Sequence, residues 1–96
     1  MEMYTIYTKE GCNYCDMAKA ELRRVKVQYQ EVLVTPGTSS IDEVLKRSNK
    51  TIVNLTFPQI FDSEGNHIGG YMDLLDYMEE QGLVYPTGLV HRWGEQ

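Results

Sequence analysis

Cysteine, histidine and proline are scarce in this chain, and each scarcity removes a class of protein. Two cysteines in 96 residues cannot make the disulfide framework of a small secreted domain, where several bridges offset a thin core. The two histidines, His67 and His91, lie far apart and form no His-x₃₋₅-His pair, so a closed zinc site lacks donors and no metal is expected. Three prolines and the absence of repeats leave no proline-rich or low-complexity linker. No run approaches the roughly 18 apolar residues of a membrane span. The start, MEMYTIYTK, has neither the basic opening nor the apolar stretch of a signal peptide. Basic residues are also outnumbered, 9 Lys and Arg against 14 Asp and Glu for a net charge of -5, which argues against nucleic acid or an anionic lipid surface as partner. The expected setting is a reducing cytoplasm, with no nucleic-acid and no membrane partner.

What is present suffices for one small core. A hydrophobic content of 42% over 96 residues fits a single domain, since domains need about 50 to 200 residues. Residues 3–7, MYTIY, are rich in β-branched and aromatic side chains and run into Thr8-Lys9-Glu10-Gly11, a strand followed by a turn. From Asn13 to about Val25 the pattern becomes helical, with Met17, Ala18, Leu22 and Val25 as an apolar stripe. VQYQEVLV, residues 27–34, reads as a second strand, and 35–40 as a loop. Ser40 and Glu43 have capping-box spacing and introduce a helix to about Arg47, with Ile41, Val44 and Leu45 facing inward. Pro58 to Phe61 and His67-Ile68 flank the turn residues Ser63 to Asn66, a hairpin pattern. Gly69-Gly70 precede Asp73, read as the N-cap of a helix from Leu74 to about Gln81 that buries Leu74, Leu75 and Met78. The order is β-α-β-α-β-β-α, an α/β domain with parallel strands first and an antiparallel pair last. The domain is placed at residues 1–81, and 82–96 are expected to pack on it as irregular chain; His67 and Trp93 are read as structural.

The two cysteines, Cys12 and Cys15, stand at the strand-to-helix turn. A free thiol, with a pKa of about 8.5, is a weak nucleophile at neutral pH. At the first turn of a helix, unpaired N–H groups and the positive end of the macrodipole favour an anion, so Cys12 is the candidate thiolate. Cys15, one turn on, can reach it within disulfide geometry and, lying inside the helix, suits a resolving thiol. Lys9, three residues before Cys12, adds positive charge that favours a thiolate or meets an anionic substrate. C-x-x-C in an intracellular βαβ context reads as redox. Structural cysteines are disfavoured by their neighbours Gly11, Asn13 and Asp16, while an iron–sulfur cluster shared in a dimer needs few thiolates per chain and stays open.

Three linked motifs then resemble one family: Thr8-Lys9 before Cys12-Asn13-Tyr14-Cys15, Thr56-Phe57-Pro58-Gln59, and Gly69-Gly70-Tyr71-Met72-Asp73-Leu74. Their order and spacing are those of the glutaredoxins, over roughly residues 3–81, and look most like the small bacterial and phage dithiol members, the latter being hydrogen donors to ribonucleotide reductase. The resemblance implies a thioredoxin-like, three-layer α/β/α fold with a mixed four-stranded sheet. It implies a monomer that uses glutathione to reduce protein disulfides and glutathione mixed disulfides in the cytoplasm, or in the host cytoplasm for a phage-borne gene. It makes Cys12 the nucleophile and Cys15 the resolving thiol. It further implies a cis Phe57–Pro58 bond, with the Phe57 backbone pairing a substrate cysteine in the manner of an added strand. Lys9 and Gln59 match positions that hold the glycine carboxylate of glutathione; Met72, through its N–H, and Asp73, through its carboxylate, match the site for the γ-glutamyl end. Tyr14, Thr56 and Pro58 line the groove.

The chain departs from the family pattern at Asn13, at Tyr71 and in the tail after Gly82, which extends beyond the shortest members. Asn13 replaces the proline usual between the cysteines, restoring an N–H donor and loosening φ. Non-proline residues here accompany iron–sulfur binding in some relatives, so a cluster carrier is an alternative, as is a non-catalytic adaptor on the same fold. Tyr71 stands where many members have cysteine or asparagine.

Overall fold

The computed structural model of the chain describes residues 3–83. Tyr4–Thr8 form β1, and all five side chains are buried, as befits a central strand covered on both faces. A turn with Gly11 at φ 72° leads into α1, Asn13–Arg24. The next strand, β2 (Tyr29–Leu33), pairs parallel with β1, from Tyr4 opposite Tyr29 to Thr8 opposite Leu33. Helix α2 spans Ser39–Ser48 and ends on Asn49 at φ 59°, a left-handed cap that asparagine tolerates. Strands β3 (Gln59–Phe61) and β4 (His67–Gly69) form the antiparallel hairpin, and α3 spans Tyr71–Glu80.

The four-stranded sheet has the order β2-β1-β3-β4, with β3 antiparallel to β1 and Ile6 opposite Ile60. Alternation along β1 and β3 splits the core in two. Tyr4, Ile6 and Ile60 pack with Ala18 and Leu22 of α1 and with Leu74 and Met78 of α3. Tyr7 and Phe61 pack on the other face with Val34 and with Val44 of α2. Each fully buried Leu, Ile or Phe side chain is worth about 1.5–3 kcal/mol, so helices on both faces make the three-layer α/β/α arrangement expected from the element order. Among the described residues no helix is long and apolar enough to cross a membrane.

Local details differ from the sequence reading. Met17 is exposed, while Cys15, Ala18 and Leu22 are buried; positions 15, 18 and 22 follow the helical period, and Met17 falls off that stripe. The cap of α2 is Thr38, not Ser40. The Thr38 hydroxyl accepts from the Ser40 N–H (3.3 Å) and donates to the Thr35 carbonyl (2.7 Å), and Ser40 Oγ accepts from the Thr35 N–H (3.0 Å). Glu43 is thereby released from capping and accepts from the Tyr7 hydroxyl at 2.6 Å. Leu75 is only half-buried. Helix α3 starts three residues before Leu74 because Asp73 serves from inside it: as the third helical residue its Oδ2 accepts the Gly70 N–H at 3.0 Å. Gly69, at φ 124°, permits this turn, and a β-carbon there would collide with the Asp73 carboxylate. Leu83 packs beside the α1–α3 core; the expected packing of the rest of 82–96, and Trp93 with it, lie outside the described residues.

Candidate active site

Strand β1 delivers the chain to the start of α1, and Cys12 is the N-cap. Its backbone is extended (φ -103°, ψ 106°) and its sulfur accepts the Cys15 N–H at 3.1 Å, satisfying one of the helix's orphan donors. Cys12 and Cys15 are joined as a disulfide with Cα atoms 5.2 Å apart. The two sulfurs differ in access. Cys15 is 1% exposed within the core, whereas Cys12 is partly exposed at the helix tip. When the bond is reduced, helix-end N–H groups and the dipole act on Cys12 more than on its buried partner.

Three contacts gather the other segments around this turn. Lys9 Nζ lies 5.8 Å from the centroid of the Phe57 ring, linking the turn after β1 to the loop before β3. A β-carbon on Gly70 would stand 3.6 Å from the Pro58 carbonyl oxygen, so that loop also touches the start of α3. The Tyr14 and Tyr71 rings meet at 5.8 Å between centroids, closing the gap between the first turns of α1 and α3. Within this surround the Phe57–Pro58 bond is cis; Thr56 is exposed, Phe57 half-buried and Pro58 buried. Tyr14 and Met72 are 58% and 66% exposed, far above the norm for large apolar side chains, and each lies in the first turn of its helix. Met72 is the second residue of α3, and its N–H belongs to the first-turn amides without an intrahelical acceptor. Lys9 and Asp73 are exposed.

Gln59 is placed differently from these. It is 1% exposed and its amide is engaged inside the protein: Nε2 donates to the Thr56 carbonyl (2.8 Å) and Oγ1 (3.3 Å), and Oε1 meets His67 Nε2 at 2.6 Å. The side chain thus holds Thr56 from within, while Thr56 itself is exposed. His67, read from the sequence as structural, proves to be the other end of this arrangement. The hairpin register sets His67 opposite Phe61 and hence on the face of Gln59. Burial, then the nearby Lys50 charge, hold the His67 pKa below its usual value against the opposing pull of Asp73.

The end of β1 is anchored by charge. Thr8 Oγ1 donates to Glu31 Oε2 at 2.6 Å, and Lys19 Nζ reaches the same oxygen at 3.0 Å. The Thr8 hydrogen bond, aided by Lys19 and opposed by desolvation, lowers the Glu31 pKa. Among the described residues no group of three or more His, Cys, Asp or Glu side chains is placed to hold a metal ion.

A family model described as glutaredoxin matches residues 4–68. Glutaredoxin 3 of Escherichia coli (strain K12) is 45% identical over 78 residues, 81% of this chain and 88% of that protein. The glutaredoxin of Enterobacteria phage T4 is 32% identical over 87 residues, covering 80% of this chain and 100% of its own. Among solved structures, glutaredoxin 1 from Francisella tularensis, complexed with cacodylate, superposes with a TM-score of 0.67 at 25% identity, covering 84% of this chain and 96% of that one. The likeness thus runs from β1 through the hairpin and takes in both the paired thiols and the cis-proline loop. The chain belongs to the glutaredoxin family, the thiol–disulfide oxidoreductases of the thioredoxin fold, and the Cys12–Cys15 disulfide is its redox centre.

Proposed function

We propose that this glutaredoxin draws electrons from glutathione to reduce glutathione mixed disulfides and protein disulfides, with Cys12 as nucleophile and Cys15 as resolving thiol. The observation that carries the division of roles is unequal access: Cys12 caps α1 at the surface and Cys15 is buried one turn below it. The Cys12 thiolate attacks the glutathionyl sulfur of a mixed disulfide; a Cys12–glutathione bond forms and the substrate thiolate leaves, taking a proton from water. A glutathione thiolate then attacks that bond, releasing glutathione disulfide and restoring the Cys12 thiolate. With a protein disulfide, Cys12 forms the mixed disulfide and the Cys15 thiolate attacks the Cys12 sulfur. The protein leaves as a dithiol, and two glutathione molecules reduce the Cys12–Cys15 bond.

The groove has groups suited to both ends of glutathione. Lys9 supplies a cation for the glycine carboxylate. The start of α3 supplies the Met72 N–H for the γ-glutamyl carboxylate and Asp73 for its ammonium. One Asp73 oxygen already caps Gly70, and the carboxylate has lone pairs left for a ligand. Tyr14, Thr56 and Phe57 form the walls, the buried cis Pro58 sets the path of that loop from beneath, and Gln59 acts by bracing Thr56. Protein disulfides, that of ribonucleotide reductase among them by family likeness, are reduced in the cytoplasm by the monomer. NADPH oxidation coupled to turnover of a protein disulfide tests the electron source. It should require glutathione and glutathione reductase together; equal turnover with thioredoxin reductase and no glutathione would remove the proposal.

A further inference from the structure

Gln59 must satisfy a carboxamide in the interior, where an unpaired amide group costs about 1–3 kcal/mol, and its partners fix which way round it sits. The Thr56 carbonyl can only accept, so the Gln59 atom 2.8 Å from it is the amide nitrogen. The amide oxygen therefore faces His67 Nε2 at 2.6 Å, and that ring nitrogen carries the proton. Adding a second proton at Nδ1 leaves this donor in place. The ring is held by Phe61, with centroids 4.9 Å apart and planes tilted by 30°. A directed chain of hydrogen bonds thus runs from β4 through the first residue of β3 into the loop before it: His67 to Gln59, and Gln59 to Thr56.

We propose that His67 is a positioning residue for disulfide exchange: through Gln59 it fixes the Thr56 carbonyl, and with it the backbone of Thr56 and Phe57, in the orientation that receives the peptide part of a substrate. This rests on the proposed binding of glutathione and substrate cysteines along that loop. His67 touches neither sulfur, so its contribution lies in binding rather than in the reactivity of Cys12. A donor of the same reach at position 67 should do the same work without an imidazole.

The test compares His67→Ala, which removes the donor, with His67→Gln, which returns an N–H, in reduction of a glutathionylated peptide. The bond is part-buried, with Gln59 enclosed and His67 at the surface; losing one hydrogen bond of about 1 kcal/mol corresponds to about a five-fold change. His67→Ala should therefore raise KM about that much at nearly constant kcat, and His67→Gln should restore KM. Alkylation of Cys12 by iodoacetamide, which needs no backbone contact, should be alike in all three proteins. Solvent exchange of the Gln59 side-chain amide, read by NMR, should be slow in the wild type and His67→Gln and fast in His67→Ala. An unchanged KM in His67→Ala overturns the proposal, and so does a KM that His67→Gln does not restore. A parallel fall in kcat and alkylation, meaning general structural damage, overturns it too. A wild type inert toward the glutathionylated peptide but active on a protein disulfide would defeat the glutathione reading alone; the same KM comparison on the protein disulfide then decides His67.

Discussion

At the start of α1, Cys12 has an extended backbone (φ -103°, ψ 106°) and its sulfur accepts the Cys15 N–H; at the start of α2, Thr38 (φ -120°, ψ 170°) uses its hydroxyl to accept the Ser40 N–H. The backbone solution is the same, and it answers the same need, the unpaired N–H groups of a first helical turn. The surroundings differ. Thr38 sits in a set of internal hydrogen bonds with Thr35 and Ser40, with nothing left over for chemistry. Cys12 puts at the equivalent position an atom that can ionise, gain from the same N–H groups and dipole, and then leave the cap to form a bond. A helix start becomes a reactive centre by a change of one capping atom, provided the partner thiol is buried one turn away.

That comparison can be broken at several places. The largest expected effect is that of Cys12→Ser, which keeps a good cap and removes the nucleophile: activity on every disulfide should vanish, while stability, measured in reductant, should move by less than about 1 kcal/mol. Denaturant melts beside turnover assays separate the two. Cys15→Ser should retain reduction of glutathione mixed disulfides and lose reduction of protein disulfides; equal loss on both substrates would count against unequal roles. At the third helix start, Asp73→Asn keeps an acceptor for the Gly70 N–H and removes the charge, so KM for glutathione should rise about ten-fold, the size of one charge-assisted hydrogen bond, with the melt nearly unchanged. Thr38→Ala should do the reverse of Cys12→Ser, costing about 1 kcal/mol of stability and leaving turnover untouched. The smallest effect concerns the approach to α1. Glu31 is lowered in the folded protein from a reference value of 4.5, so its contribution is full above that pH and is lost as pH falls through the lower folded value. Because the carboxylate is partly exposed, the contribution should be under about 1 kcal/mol. Glu31→Gln should flatten this acid limb of the stability curve.

Much of this was legible in the chain itself. The switch from MYTIY to a helical stripe located the cysteines at a strand-to-helix turn, and Ser63 to Asn66 announced the hairpin. The helix starts are less legible because several residues compete for one role. Thr38 and Ser40 can both cap, and only the backbone turn at Thr35 decides between them. Asp73 reads as an N-cap, yet an aspartate three positions inside can reach back to the same orphan N–H, which shifts α3 to Tyr71. Family likeness sets Gln59 at the ligand, and the period of two along β3 also puts it on the Phe61 face, where its amide meets His67 and Thr56. The pairing of His67 with Gln59 is eight residues distant and crosses a hairpin with an irregular register, so no local pattern marks it.

The central claim is that capping α1 makes Cys12, and not Cys15, the reactive thiol. The direct measurement is alkylation of the fully reduced protein with iodoacetamide across a pH series, with the modified residue identified by mass mapping. Cys12 should be labelled first, with a rate that levels off well below the pH of about 8.5 at which a free thiol half-ionises, and Cys15 should stay unlabelled until the protein unfolds. Equal labelling of both residues, or a Cys12 rate that follows the free-thiol curve, would contradict it.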